Sequence, residues 1–458
     1  MLPLSRVPAD RLMKTSWELL FRAAREHTSV VVLLVLAAAL SCLTFGPQHA
    51  EGAAAGRELA AELARVLPAG GKVLIVVQET ALDAEFAETL ARELAKRGLV
   101  VLPTVRGGPQ QTRQALEAHA ASEERFAGIA VTTAASRWSI FEGLGERYPS
   151  LAGVKIVAPR ETRWPTFLKT SNLLNIANQI AVIAIMAIGM TMVIIAGGID
   201  LSVGSLVAVS AVTTALLIEK IGGGTAAPAW SLVVCGLGSM ALCGLIGAAS
   251  GTLVALVRIP PFIVTLALMS MLRGLAYIQS KGESVHELSP AIQWLGAGGA
   301  LLSIPNAVLL MLVLYVAADV VMKRTVFGRQ LYAVGGNARA ARLCGVPVRR
   351  VVLATYVISA LFAGLGGVLL ASQFQSGAPT YGKDYELSVI AAVVVGGTSL
   401  SGGQGKMFGT LLGALIIAVV QNGMNLLLLS APWQQVVLGG VILLAAVIDR
   451  LKQARERD

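Results

Sequence analysis

The feature that most constrains this chain is a series of unbroken apolar runs, each long enough, or nearly so, to cross a lipid bilayer. Ten can be read, at residues 29–45, 173–195, 201–218, 230–257, 262–278, 307–322, 351–371, 387–400, 407–428 and 433–448. A span needs about 20 residues of helix. Within hydrocarbon the backbone N–H and C=O groups must bond inside the segment, so each run is expected to be helical. The eighth run is short and glycine-rich, which predicts a partial or broken helix. Composition agrees: 55% of the 458 residues are hydrophobic and 14% are charged, where soluble domains carry roughly a quarter. The 48 glycines suit membrane helices, because small residues let them approach closely.

A net charge of +10 raises the question of nucleic acid. The basic residues instead gather in three segments beside apolar runs, without interleaved aromatics, so no nucleic-acid partner is expected. Arg6, Arg11, Lys14, Arg22 and Arg25 precede the first run. Lys323, Arg324, Arg329, Arg339, Arg342, Arg349 and Arg350 lie between the sixth and seventh, and Arg450, Lys452, Arg455 and Arg457 follow the last. With ten spans all three fall on one side, which the positive-inside rule makes cytoplasmic. Both termini are therefore expected in the cytoplasm of a multi-pass inner-membrane protein. A cleaved signal peptide is the alternative for the N-terminus, but Asp10, Glu18 and Glu26 sit badly in a signal's basic leader.

One segment interrupts the apolar pattern. Residues 51–163 carry mixed charge and alternate strand-like and helix-like periods: strands at 72–78, 99–105, 127–133 and 154–158, helices at 82–97, 110–121 and 137–147. Such β-α repetition predicts a small, mainly parallel sheet. The expected fold class is an all-α polytopic membrane protein of about ten transmembrane helices, with a small extracytoplasmic α/β domain inserted after the first. The domains run 1–50, 51–163, 164–450 and 451–458, the last a cytoplasmic tail.

Little here suggests an enzyme. Cys42, Cys235, Cys243 and Cys344 lack metal-ligand spacing, and four scattered histidines make no H-E-x-x-H; neither a metal nor another cofactor is expected. Residues 400–404 read LSGGQ, a motif of ATPases, yet no G-x-x-x-x-G-K-[ST] accompanies it. The pattern is read as coincidence in a glycine-rich turn. A weak echo links VIIAGGIDLSVGSL (193–206) with VVVGGTSLSGGQG (393–405); paired Gly-interrupted spans occur in repeat-built transporters, and also by chance.

The sharpest motif is AGGIDLSVGS (196–205), joining the second and third runs. Gly197 and Gly198 can end a helix, while Asp200 and Ser202 can cap the next, ahead of Gly204. A capped turn would not explain an acid between long apolar runs. This stretch, with GRQLYAVGGNARAARLCGV (328–346), YELSVIAAVVVGGTSLSGGQGKMFGTLLGALI (385–416) and QNGMNLL (421–427), resembles the permeases of the ribose-type sugar importers of the ATP-binding-cassette class. The likeness covers the first run and nearly everything from Phe167 onward.

The resemblance implies a homodimer of permeases in the bilayer, a separate ATPase subunit, an extracytoplasmic solute-binding protein and a sugar-like solute. It also implies that Gly335, Gly336, Asn337, Arg339, Arg342 and Gly345 form a short helical segment that docks on the ATPase. Polar residues inside spans face a cavity or a neighbouring helix, so Asn175, Asn178 and Gln179, with Asn172 nearby, and Gln421, Asn422 and Asn425 are either a solute pathway or helix-to-helix bonds. Arg273 needs a partner, for which Glu386 is a candidate. The insertion departs from the family, which has a short loop there; it is similar to one lobe of a periplasmic sugar-binding protein, and capture, docking and a structural cap all remain open. Outside the importer reading stand an ion-coupled secondary transporter and a membrane-anchored ligand sensor. The first would call for intramembrane acids beyond Asp200 and Glu386, the second for a cytoplasmic signalling domain.

Overall fold

A computed structural model describes residues 28–122, 126–286, 288–296, 298–301 and 304–455. The basic residues expected before the first helix, and Arg457, lie outside them. The chain divides into two compact units, Phe45–Thr166 and the residues on either side of it.

The first helix, α1 (Thr28–Leu43), is apolar throughout. The Thr44 hydroxyl that follows accepts from the Phe167 N–H at 3.1 Å, closing the chain across the intervening unit. That unit begins and ends in an antiparallel ribbon of β1 (Phe45–His49) and β7 (Glu161–Pro165), registered from Phe45 opposite Pro165 to His49 opposite Glu161. The expected limits at 51 and 163 fall inside this ribbon-bounded unit.

Between the ribbon strands lie α2 (Gly52–Val66), β2 (Lys72–Val77), α3 (Ala81–Lys96), β3 (Val100–Val101), β4 (Val105–Arg106), α4 (Pro109–Ala121), β5 (Gly128–Val131) and β6 (Lys155–Val157). All pairings among β2 to β6 are parallel, in the order β3-β2-β5-β6, with β4 also on β2. Strand β2 reads as a continuous apolar run because both its faces are covered. Val73, Ile75 and Val77 pack with Leu59, Leu63, Phe86 and Leu90. Leu74 and Val76 turn the other way, toward Leu116, Phe126 and Ile140. Two expected elements are broken. The edge strand splits into β3 and β4 around Pro103, which has no N–H to give the ladder. The helix expected over 137–147 gives way to short turns, interrupted where Gly143 takes a φ of +64°.

The permease unit continues with α5 (Thr170–Ile195), α6 (Val203–Leu217), α7 (Ala229–Thr252), α8 (Pro261–Gln279), α9 (Asn306–Arg324), α10 (Val326–Gly336), α11 (Ala338–Leu343), α12 (Val348–Phe374), α13 (Tyr385–Val395), α14 (Met407–Leu426) and α15 (Ala431–Arg455). Among the described residues seven helical spans are long and apolar enough to cross a membrane: α5, α6 with its continuation to Gly222, α7 with its continuation to Val257, α8, α9, α12 and α14. Three shorter apolar helices, at Ser29–Leu43, Tyr385–Val395 and Ala431–Val447, fall on the remaining apolar runs. The protein is a mainly helical, multi-pass membrane protein.

Helix α5 is the axis of the unit. Its apolar window is 89% buried against 22% for α8, as expected of a helix that is hydrophobic all round. Helix α12 lies against it so closely that a Cβ on Gly189 would stand 2.6 Å from the Ser359 Cα. Helix α7 packs on α12 in the same way. A Cβ on Gly247 would meet the Ala360 Cβ at 2.5 Å and the Tyr356 carbonyl oxygen at 2.7 Å. Overpacking of this kind costs about 1–3 kcal/mol. Gly247→Val is therefore expected to lower the thermal stability of the purified chain by that amount. Gly274→Val, on a helix face with nothing within 4 Å, is expected to leave it nearly unchanged.

Candidate functional site

The residues singled out in the motif turn and the basic loop meet at one place, through backbone. Helix α5 ends with Gly197 at φ +85°. The Gly197 N–H donates to the Ile194 carbonyl and the Gly198 N–H to the Val193 carbonyl, each at 2.9 Å. This is a Schellman C-cap, which needs a left-handed residue and favours glycine. Helix α13 ends identically: Gly397 stands at φ +90°, its N–H donates to the Val394 carbonyl, and the Thr398 N–H donates to the Val393 carbonyl. The two echoing sequences thus share one helix-ending geometry.

The turn after α13 reaches back to α5, where the Gly403 N–H donates to the Ile195 carbonyl at 2.9 Å. Helix α10 fits between them. A Cβ on Gly335 would fall inside the Ile195 carbonyl oxygen and 2.6 Å from the Gly403 nitrogen. The Tyr332 hydroxyl, on the same helix, donates to the Gly405 carbonyl at 2.8 Å. The LSGGQ run is therefore part of a turn packed against Gly335 and Gly336.

Beyond this contact the chain projects outward. Asn337 caps α11, its Oδ1 accepting from the Arg339 and Ala340 N–H groups at 3.0 Å each. Ala341 is buried beneath α11, while Asn337, Arg339, Arg342 and Gly345 (φ +83°) are exposed. Leu343 is 90% exposed. Sequence reading passed over this leucine, the one large apolar residue at the tip of a basic helix.

Asp200 does not cap α6, and neither does Ser202, whose side chain makes no cap bond. The Asp200 Oδ1 accepts from the Ser202 N–H at 3.0 Å and the Ser202 hydroxyl at 2.6 Å; its Oδ2 accepts from the Ser359 hydroxyl of α12 at 2.9 Å. The acid thus ties the motif turn to α12 while 1% exposed. Gly204 packs directly on the Glu386 Oε2 and the Gly382 carbonyl of the α13 region. Arg273 does not pair with Glu386. Its guanidinium donates to the carbonyls of Pro379, Tyr381 and Gly382 at 3.0, 2.9 and 3.3 Å.

The intramembrane amides divide into two groups. Asn422 is locked to Asn172 by reciprocal bonds of 3.0 and 2.8 Å, joining α14 to α5. Asn178 accepts from Gln373 at 3.3 Å, Gln421 donates to Ser388 at 3.4 Å, and Asn425 accepts from Gln434 at 2.9 Å. Asn175 and Gln179 are exposed on α5 and make no side-chain hydrogen bond among the described residues.

The inserted unit carries a cavity of about 330 Å³ at the carboxyl ends of β2 and β5. Connections leave β2 and β5 in opposite directions across the sheet there, the usual place for a ligand crevice in an open parallel sheet. Its wall includes Thr80, Asp83, Thr132, Thr133 and Arg137. Asp83 accepts from the Gln78 N–H at 3.0 Å, and the buried Thr133 hydroxyl has no hydrogen-bond partner in the protein.

Residues 172–446 match the family described as the permease component of the branched-chain amino acid transport system. The chain belongs to this permease family. It is 39% identical over 326 residues to the ribose import permease protein RbsC of Escherichia coli K12, covering 70% of this chain and 99% of that protein. It is 41% identical over 292 residues to RbsC of Bacillus subtilis, 63% of this chain and 88% of that one. To the L-arabinose ABC transporter permease protein AraH of Azospirillum brasilense it is 37% identical over 294 residues, 64% and 84% of the two chains. No solved structure matches it.

Burial pushes the Asp200 carboxyl above the ordinary carboxylate range, against the lowering effect of its bonds from Ser202 and Ser359. The folded state therefore favours the proton more than the unfolded state does. Stability from this group is fully present below the unfolded carboxylate pKa and is lost as pH rises through the folded one. Thermal midpoints of Asp200→Asn, measured as pH is raised upward from about 4, are expected to lack the decline that this residue gives the parent.

Proposed function

We propose that this chain is the transmembrane subunit of an ABC importer that moves a monosaccharide or similar small polar solute inward, using ATP hydrolysed by a separate subunit. The observation that carries this reading is the exposed helix α11, with Asn337, Arg339, Arg342 and Leu343 turned outward, seated through Gly335 on the ends of α5 and α13. Such a helix offers a partner a basic, apolar-tipped knob while its root rests on the central helix. ATPase closure acting on α11 is passed by Gly335 to Ile195 and Gly403, and so to the axis of the unit. The ribose and arabinose permeases among its relatives support a sugar as cargo.

In this reading two copies form the working permease, and the ten apolar helices all enter the bilayer. Both termini and α11 face the cytoplasm, and the inserted unit stands outside. Asn175 and Gln179 line the solute path, since neutral amides donate to and accept from hydroxyls without holding a charge. Asn172 and Asn422 serve as a helix-to-helix clamp. The cavity of the inserted unit, with Thr80, Asp83, Thr132, Thr133 and Arg137 in its wall, supports a part in delivering solute, together with or in place of a separate binding protein.

The test is solute-stimulated ATPase activity in vesicles containing this chain and its cognate ATPase. Ribose is expected to stimulate hydrolysis. If no ATPase co-purifies with the chain, the importer reading fails. Gly335→Ala is expected to keep the ATPase bound yet lower stimulation by about tenfold, a coupling loss of ~1.4 kcal/mol. Deleting residues 51–160, which spares the β1–β7 ribbon, is expected to abolish stimulation while assembly and basal hydrolysis persist. Stimulation that survives the deletion would remove the insertion from delivery.

A further inference from the structure

A second cavity, of about 210 Å³, opens in the permease unit where four helices end together. Its wall takes in Gly197 and Gly198 after α5, the turn from α7 to α8, and the start of α12. Three arginines line it: Arg258, Arg342 and Arg349. An adjoining hollow of about 520 Å³ shares Arg342 and Arg349 and adds Arg350.

Among the described residues none of these four makes an ion pair or a side-chain hydrogen bond. Asp200, two residues past Gly198, is already bonded to Ser202 and Ser359. Arg258 is held at φ +66°, an uncommon conformation for a non-glycine residue. Tyr356 also lines the cavity. It is 1% exposed, and its hydroxyl lacks a hydrogen-bond partner in the protein. That hydroxyl faces the glycine turn, where a Cβ on Gly198 would stand 2.6 Å from it. Leu256, Val257 and Phe262, on either side of Arg258 in sequence, are exposed large apolar residues.

We propose that this cavity holds the phosphate headgroup of an anionic phospholipid. Arg258 and Arg349 neutralise the phosphate, the Tyr356 hydroxyl donates to it or to its glycerol oxygens, and the acyl chains lie along Leu256, Val257 and Phe262. Unpaired guanidiniums at a membrane surface suit such headgroups. A free phosphate would use the same cations but would gain nothing from the apolar lip. An ATPase surface would use the arginines but would leave Leu256, Val257 and Phe262 uncovered.

The test is native mass spectrometry of the full chain in detergent. Phosphatidylglycerol, phosphatidylcholine or inorganic phosphate is added, and each variant is also scored for ATPase co-purification. Phosphatidylglycerol is expected to be retained over phosphatidylcholine and to resist displacement by phosphate. Arg258→Gln with Arg349→Gln is expected to weaken that retention by about fivefold per arginine, whereas Arg106→Gln in the inserted unit has no effect. Tyr356→Phe, which removes one unpartnered hydroxyl and no charge, is expected to weaken phosphatidylglycerol retention, which a merely basic surface would not do. Equal retention by the double variant overturns the proposal. So does displacement by inorganic phosphate at matching concentration, and so does loss of the ATPase from the double variant with lipid retention intact.

Discussion

The bond from the Gly403 N–H to the Ile195 carbonyl fixes the permease unit at the point where its most buried helix ends. A helix terminus leaves carbonyls unsatisfied, and a buried one must find donors elsewhere. Helix α5 obtains two from its own glycine cap and one from a distant turn. That external donor brings the end of α13 against the end of α5, and the gap between them admits α10 only where it carries glycine. The Asp200 links to Ser202 and Ser359 add a second tie, from the same turn to α12. The motif turn, the LSGGQ turn and the basic loop are therefore parts of one assembly.

Much of the architecture was legible in the sequence, because hydrophobic run length and period report which residues leave water. The apolar runs fall on helices, and KVLIVV is the doubly covered strand that its β-branched composition predicts. Where the reading failed, the deciding force was long-range or confined to one residue. Pro103 split an edge strand, and Gly143 broke a short helix. Arg273 looked unbalanced without an acid, but three carbonyls from a chain reversal near Pro379 answer it. No periodicity encodes such a reversal.

The candidate site was legible in kind and illegible in assembly. Glycine pairs signalled tight turns, and the two echoing segments do share a C-cap. That the turns touch one another, through atoms every residue possesses, leaves no side-chain signature beyond the glycines themselves. The amides show the same limit. Asn172 and Asn422 bind each other while Asn175 and Gln179 stay open, a division set by helix rotation and neighbours rather than by residue type.

The β1–β7 ribbon and the Thr44–Phe167 bond have a consequence for how the chain comes to be folded. The entropy cost of joining two segments grows with the length of flexible chain between them. Once the ribbon has paired, α1 and α5 are separated by a hairpin's width, not by the whole inserted sequence. During synthesis the inserted unit is complete before most of the helices that surround α5 exist. The permease unit can then assemble with the effective contact order of a chain that never carried the insertion.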